Sequence, residues 1–450
     1  MKHKIYYLPV CLLFLVFGLL CSPDNVTAVR FSWTVEQVAS YGTFTSIDLD
    51  HYGYPHILYT GRHNTLYAYI YAYKDISGWH HEIVETVGEY LDAEGYTSLV
   101  LDSGDRPHIC YIGQNSKLKY AYRDQSGWHI EQVTSDEGSD GGSCSIALDN
   151  QGRPHVVYLD YLVMEPEKHL KYAYRDASGW HIESIDDGHE ADLCLDSNGY
   201  PHVSYFFSAT PLDLLRYAYK DSTGWHIQNV DNIAACVQCR SSISVDGNNY
   251  PHISYYDFRF DDLKYAYKDA AGWHIETVDS AGYVGKQSSI ALDSTNKPHI
   301  SYYDATNNAL KYAYKDDSGW HIMTVDSSGG NFTSLVLDSK DFPHISYGKV
   351  PLRYAYALRE HSLQIRKEGI GRGTVVSNPP GINCGQSCNI YFMEGTVVSL
   401  NATPDQGSVF TRWSGDPDCF DGQVTMNSDK TCIAIFDFAF RLYLPLILKQ

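Results

Sequence analysis

The feature that most constrains this chain is a unit that returns seven times. A Pro-His pair stands at Pro55, Pro107, Pro154, Pro201, Pro251, Pro298 and Pro343, at intervals of 45 to 52 residues. The cleanest copy, residues 289–325, reads S-I-A-L-D, S-T-N-K, P-H-I-S-Y-Y-D, L-K-Y-A-Y-K-D, D-S-G and W-H-I-M-T-V. Tyr-Ala-Tyr puts two large residues on one face of a strand and a small one on the other, while Asp, Ser and Gly supply the turns. Four short strands and their turns fill such a period, and sheets with a large and a small face pack side by side as the blades of a β-propeller.

With strands a to d counted outward from the axis, strand a ends in Asp50, Asp102, Asp149, Asp196, Asp246, Asp293 and Asp338. Strand d opens with Trp79, Trp128, Trp180, Trp225, Trp273 and Trp320, one copy short of seven. The missing copy stands at the other end: Ser32-Trp33-Thr34-Val35-Glu36-Gln37-Val38 has the same pattern and precedes the first strand a, whereas the last repeat, residues 333–356, has no d. The expectation is an all-β fold over residues 29–360, a seven-bladed propeller whose N-terminal strand completes the last blade and removes two open sheet edges.

The Asp-x-x-Gly-x-Pro links between a and b fit tight turns capped by the Asp side chain, in preference to a carboxylate ring around a cation. Seven strand-b histidines spread around a ring are too far apart for ligand distances of ~2.0 Å, so they read as packing or turn-bonding residues and no metal is assigned. The c–d turn, Lys-Asp-x-Ser-Gly-Trp, resembles the Asp-box hairpin of sialidase-like propellers, with fewer residues between Gly and the aromatic; in that family the box is structural. The repeat as a whole resembles sialidase-like and lectin-like propellers in general pattern only.

Comparing the copies separates the two faces of the disc. The a–b and c–d turns are nearly identical from unit to unit, whereas the b–c and d–a links on the opposite face differ in length and chemistry. Links that meet a ligand are free to diverge, so the variable face is the candidate functional face. Its candidate binding residues are Arg62, Tyr90, Tyr96, Phe206, Phe207, Phe258, Arg259 and Phe260, aromatic and Arg side chains being those that favour contact sites.

Residues 1–28 read as a signal peptide: Lys2 and Lys4, an apolar run from Ile5 to Leu20, and a small-residue exit at Val26-Thr27-Ala28. Cleavage near Ala28 is preferred to a lipoprotein cut before Cys21, because Gly18-Leu19-Leu20 makes a poor lipobox. Nine cysteines follow, which in an exported chain implies disulfides and at least one unpaired thiol. Cys236-Val-Gln-Cys239 is expected to form a local or cross-loop disulfide, with Cys144 a candidate partner. Cys110 and Cys194 stand where the clean copy has Ser301 and Ala291, and read as small core residues.

After Tyr356 the pattern changes. Gly369-x-Gly371-x-Gly373, Pro379-x-Gly381, Cys384-Gly-x-x-Cys388, Gly395-Thr-Val-Val, Phe410-x-x-Trp413-Ser-Gly415 follow in order. This order closely resembles a small β-rich module found, often in tandem, on bacterial extracellular proteins. The resemblance covers about residues 363–437 within a domain set at 361–437; Arg412 departs from it, standing where the module has Gly. It implies the pairs Cys384–Cys388 and Cys419–Cys432, and a spacer or adhesive role. The tail, 438–450, in which Leu442-Tyr-Leu-Pro-Leu-Ile-Leu precedes Lys449, reads as an ending with a sorting or retention role or as a final docked strand.

A formal charge of -20 excludes a basic footprint for nucleic acid and disfavours docking on anionic lipid. No catalytic signature emerges: the arginines are scattered, and the acidic links (Asp136, Glu137, Asp140, Asp187, Glu190) read as solvated turns. The expected function is non-catalytic binding of an extracellular glycan or protein through the variable face, by a secreted or surface-held monomer. No span remains after signal cleavage, and no cofactor is assigned; calcium has no support. A glycoside hydrolase or lyase acting on extracellular polysaccharide is the first alternative, an envelope scaffold the second.

Overall fold

The computed structural model describes residues 30–89, 96–113, 116–134, 139–161, 168–208, 213–233, 240–384 and 387–439. It divides into two compact units, Phe31–Arg359 and a C-terminal unit beginning at Glu360. Among the described residues no helix is long and apolar enough to cross a membrane.

The first unit is a seven-bladed propeller. Six four-stranded antiparallel sheets follow one another in strict a-b-c-d order; blade 1 is Thr43–Leu49, Pro55–His63, Leu66–Asp75 and Gly78–Gly88. Blade 7 takes Ser334–Leu337, Pro343–Gly348 and the first part of Leu352–Glu368 from the end of the repeat. Its fourth strand is Arg30–Ala39, which pairs with strand c. The N-terminal strand therefore closes the ring.

Three concentric sets of side chains hold this ring, each generated by one letter of the repeat. Innermost is the Ser that opens S-I-A-L-D. Ser46, Ser98, Ser145, Ser242, Ser289 and Ser334 each accept a backbone N–H from the next blade at 3.0–3.3 Å. Blade 4 has Asp192 instead, whose Oδ2 accepts from Ile243 N–H at 3.0 Å. The circuit is unbroken, with one buried donor satisfied at each junction.

One strand further out, hydroxyls of neighbouring blades face each other. Ser204 meets Ser241, Ser254 meets Ser288, Thr333 donates to Ser301 and Thr45 to Ser346, at 2.5–2.9 Å. Between blades 2 and 3 the same two positions hold Cys110 and Cys144, which form a disulfide with a Cα–Cα distance of 6.3 Å. This corrects the reading of Cys110 as a plain core residue and of Cys144 as a partner for Cys236 or Cys239. The Ser301 position faces the next blade, so a thiol there stands within reach of a thiol opposite. Cys194 is the free cysteine among the described residues.

Outermost, the Glu of Trp-His-Ile-Glu binds the next blade twice. Glu36, Glu82, Glu131, Glu183 and Glu276 accept from Trp Nε1 at 2.8–3.2 Å. Each also accepts from the Lys or Arg that follows Tyr-Ala-Tyr, at 2.6–3.1 Å. Gln228 does the same work in blade 4 without a charge. At the closing junction Trp33 meets Met323 Sδ instead.

The C-terminal unit packs two sheets around Leu363, Val375, Val398, Trp413, Met426 and Phe436. Its Gly-x-Gly-x-Gly run exists because the chain passes against the last strand, Lys430–Phe438: a Cβ on Gly369 would stand 2.1 Å from the Phe436 carbonyl oxygen, and one on Gly373 2.2 Å from its ring. Cys419 and Cys432 are bonded. Cys388 is disulfide-bonded as well; the side chain of Cys384 lies outside the described residues. Arg412 is exposed beside a register shift between Phe410 and Arg412, so the residue that replaces Gly projects into solvent.

Candidate functional site at the mouth of the axis

The two ends of the propeller axis are built differently. At the turn end, each strand-a Asp caps its own a–b turn; Asp50 Oδ1, for example, accepts from Tyr52 and Tyr54 N–H at 2.9 and 2.8 Å. Its other oxygen faces the Pro-His imidazole at 3.4–4.0 Å in all seven blades. The far side of that imidazole, Nδ1, is hydrogen bonded in every blade to the first Tyr of the Tyr-Ala-Tyr that ends strand c (Tyr71 in blade 1), at 2.6 Å for His108–Tyr120 and 2.5 Å for His252–Tyr265. A proton on Nε2 and a Tyr hydroxyl donating to Nδ1 satisfy both contacts. Burial holds His252 down to about 4, against the raising influence of Asp246. The histidines are thus internal struts.

The c–d turns place Ser, His and Asp together in four blades, and Thr223 with His226 and Asp221 in a fifth, yet not as nucleophile, base and orienter. Asp124 Oδ1 accepts from Ser126 N–H and Oγ at 2.7 and 2.6 Å, and His129 Nε2 lies 3.0 Å from both side chains. The Ser proton is directed to the carboxylate, and one ring nitrogen serves both partners, so no base is poised on the hydroxyl.

At the opposite end, strand a enters the axis through a register shift between Thr43 and Ser46, Gly141 and Cys144, His189 and Asp192, and Lys286 and Ser289. Such bulges re-aim side chains. The residue two before the axial Ser takes φ near +50° at Phe44, Glu190, Gln287 and Phe332, a left-handed geometry that costs a non-glycine residue of order 1–3 kcal/mol. Around the ring this position carries Phe44, Tyr96, Ser143, Glu190, Arg240, Gln287 and Phe332. One layer below, the same alignment reads six Ser and one Asp.

Six of these blades enclose a cavity of about 90 Å³, lined by Phe44, Tyr96, Arg240, Gln287 and Phe332 above and by Asp192 and the axial hydroxyls below. Phe44 packs between Tyr96 and Phe332, with centroids 4.5 Å from each. The Arg240 guanidinium lies 4.6 Å from the centroid of the Tyr96 ring. Gln287 Oε1 accepts from Phe332 N–H at 2.7 Å. Asp192 is fully engaged, accepting from Ser145 Oγ, Ser242 Oγ and Ile243 N–H at 2.8–3.1 Å.

The sequence-derived candidates fall into separate groups. Tyr96 belongs to the cavity. Phe258 and Phe260 are 46% and 61% exposed on the b–c link of blade 5, near the 56% exposed Tyr283. Arg259 stands 5.1 Å from the Phe260 ring and donates to the Asn232 carbonyl of blade 4, which fixes the link. Arg62 is bonded to the Tyr67 hydroxyl at 3.0 Å on blade 1. Phe206 is fully buried in a blade core, because the strand-b pattern runs one residue further than the link was taken to begin. Phe207 lies beneath Arg216, 3.5 Å from its guanidinium carbon. Tyr90, the Cys236–Cys239 pair, and Asp136 and Glu137 lie outside the described residues. Asp187 is bonded to His169 at 2.8 Å. Arg240, Phe44, Gln287 and Phe332 were missed; the signal was present in the divergence of one column two places before a position that holds Ser in six blades and Asp192 in the other.

Residues 373–439 match the divergent InlB B-repeat domain. No curated protein matches the chain. Among solved structures, the propeller is similar to polysaccharide lyase Uly1 (10% identity, 72% of this chain and 90% of that one, TM-score 0.46). It is also similar to the Aleuria aurantia lectin (12%, 65% and 98%, 0.45) and the NanB sialidase of Streptococcus pneumoniae (11%, 71% and 68%, 0.41).

Proposed function

We propose that this chain is an exported, non-catalytic recognition protein that binds an extracellular glycan through one composite site at the mouth of the propeller axis. The observation that carries this is the contrast between adjacent layers of strand a. Seven copies of one structural position hold Ser or Asp in the layer that ties the blades, and six residue types in the layer that faces the opening. A lectin with one site per blade would repeat its contact residues; here the cavity is asymmetric, and no two of its corners are alike except the two Phe. Export is supported by the Cys110–Cys144 and Cys419–Cys432 bonds and by the leader-like residues 1–28. The exposed pair Phe258 and Phe260 extends the same face outward from the axis and offers a second contact for a longer ligand.

A glycan array and polysaccharide pull-down on the chain lacking residues 1–28 tests the reading. Saturable binding that is lost in Tyr96→Ala and Gln287→Ala, and only weakened in Phe258→Ala/Phe260→Ala, is the expected result. Binding indifferent to the mouth variants would move the site to the blade surfaces, and new reducing ends released from the bound glycan would reassign the protein as an enzyme.

A further inference from the structure

The uncommitted groups lining the cavity are rich in hydrogen-bond donors. Ser46, Ser98, Ser289 and Ser334 each spend a lone pair on the N–H of the next blade. Among the described residues none of these four hydroxyls has an acceptor for its own proton, so that proton is left to point inward. Each of these hydroxyls keeps one lone pair beside its uncommitted proton, and an anionic substituent engages the proton. Arg240 enters no ion pair among the described residues, and its guanidinium is held against Tyr96. Stacking occupies the plane of the guanidinium and leaves its edge N–H groups for a ligand. The carboxylate of the cavity, Asp192, is bonded to three donors and has little acceptor capacity to offer. Gln287 uses its carbonyl on Phe332 N–H, which leaves its amide NH2 as a further donor.

We infer that the cavity is an oxyanion pocket, in which Arg240 and the axial serine hydroxyls hold a carboxylate or sulfate substituent of the glycan while Phe44, Tyr96 and Phe332 contact the sugar that carries it. The inference rests on the composite-site reading above and adds the charge class of the ligand. A volume of about 90 Å³ suits one small substituent and not a whole buried chain segment, so the pocket takes a terminal or side-projecting group. Because the protein carries a formal charge of -20, binding of a polyanion is opposed at long range and gains its strength locally; added salt screens the repulsion beyond roughly 10 Å and weakens the buried contact less.

The test is affinity of the full exported chain for four probes: polygalacturonate, its methyl ester, dextran sulfate and dextran. The two anionic probes should bind and the two neutral ones should not, with uronate and sulfate ranked by their own affinities. Arg240→Gln should weaken the anionic probes by roughly ten- to a hundredfold, the range for a lost hydrogen bond to a charged group. Gln287→Glu keeps the acceptor for Phe332 N–H and adds an anion at the lip; it should weaken the same probes at unchanged melting temperature, which guards against a misfolded variant. Neutral probes that bind as tightly as the anionic ones and respond to Tyr96→Ala would overturn the oxyanion assignment and leave the composite site standing. Binding that ignores Tyr96→Ala, Arg240→Gln and Gln287→Glu alike would overturn both.

Discussion

The two ends of the propeller axis are made from the same strands, a few residues apart, and follow opposite rules. At the turn end Asp, His and Tyr recur in all seven blades, each filling the other's bonding needs. At the mouth end the equivalent positions diverge in size, charge and polarity. The difference teaches that uniformity marks where blades solve the same folding problem, and divergence marks where they face something outside the fold. Between the ends, the circuit of six Ser and Asp192 is the boundary: nearly uniform because it ties blades, yet lining the cavity with unused serine protons.

The comparison can be broken or sharpened in four ways. The largest effect belongs to the junction of blades 2 and 3. Replacing Cys110 and Cys144 together by Ser should lower stability by about 3–4 kcal/mol on the chain-entropy account of a 34-residue separation. The loss falls short of that if the two hydroxyls bond as Ser204 and Ser241 do. Thermal unfolding of the double variant against wild type checks it.

Next comes acid. His252 is held to about 4 by burial, below its unfolded value near 6.5. The unfolded chain therefore takes up the proton first, and stability present above pH 6.5 falls as pH drops from 6.5 to about 4. The upper bound for this one residue is roughly 3 kcal/mol. His56, His108, His155 and His202 are lowered by the same desolvation and add in the same direction. Denaturation at pH 7 and pH 5 should show the loss, while ligand affinity per folded molecule stays constant; an affinity that tracks the same titration would tie the turn end to function.

Tyr265→Phe removes the hydroxyl on His252 Nδ1 and should cost about 1–3 kcal/mol by leaving a buried acceptor unmade. It should have no effect on binding. Gln287→Glu at the mouth, which keeps the acceptor for Phe332 N–H, should do the reverse, changing stability little and affinity for an anionic glycan strongly. Equal effects on both would erase the distinction between the ends.

The smallest effect is at the rim. Gln228→Glu gives Lys268 and Trp273 the carboxylate that five other junctions have. The half-exposed ion pair should add only about 0.2–1 kcal/mol, read as a small rise in melting temperature that salt diminishes.

Much of this architecture was legible in the chain because each repeated letter has one local task. Trp33 announces the closing strand, the strand-a Asp its turn, and Gly369, Gly371 and Gly373 a close passage of backbone. What was not legible depends on neighbours across blades. Cys110 looked like a small core residue because the repeat places Ser there, and nothing in one blade says that this Ser faces the next. Phe206 looked like a link residue, yet it fills the sixth place of P-H-I-S-Y-Y-D, where Tyr256 of blade 5 is equally buried. Tyr96 and Arg240 meet across the axis although their blades are far apart in sequence, and only the closed ring brings them together. Sequence periodicity reports what each blade does for itself; the site is made of what the blades do not share.

The central claim is that function resides in one asymmetric site. Titration calorimetry with a short oligosaccharide selected from the array tests it most directly through stoichiometry. One ligand per chain, abolished by Tyr96→Ala, is the predicted result. Six or seven equivalent ligands per chain, untouched by that substitution, would contradict it and place recognition on the repeated blade surfaces.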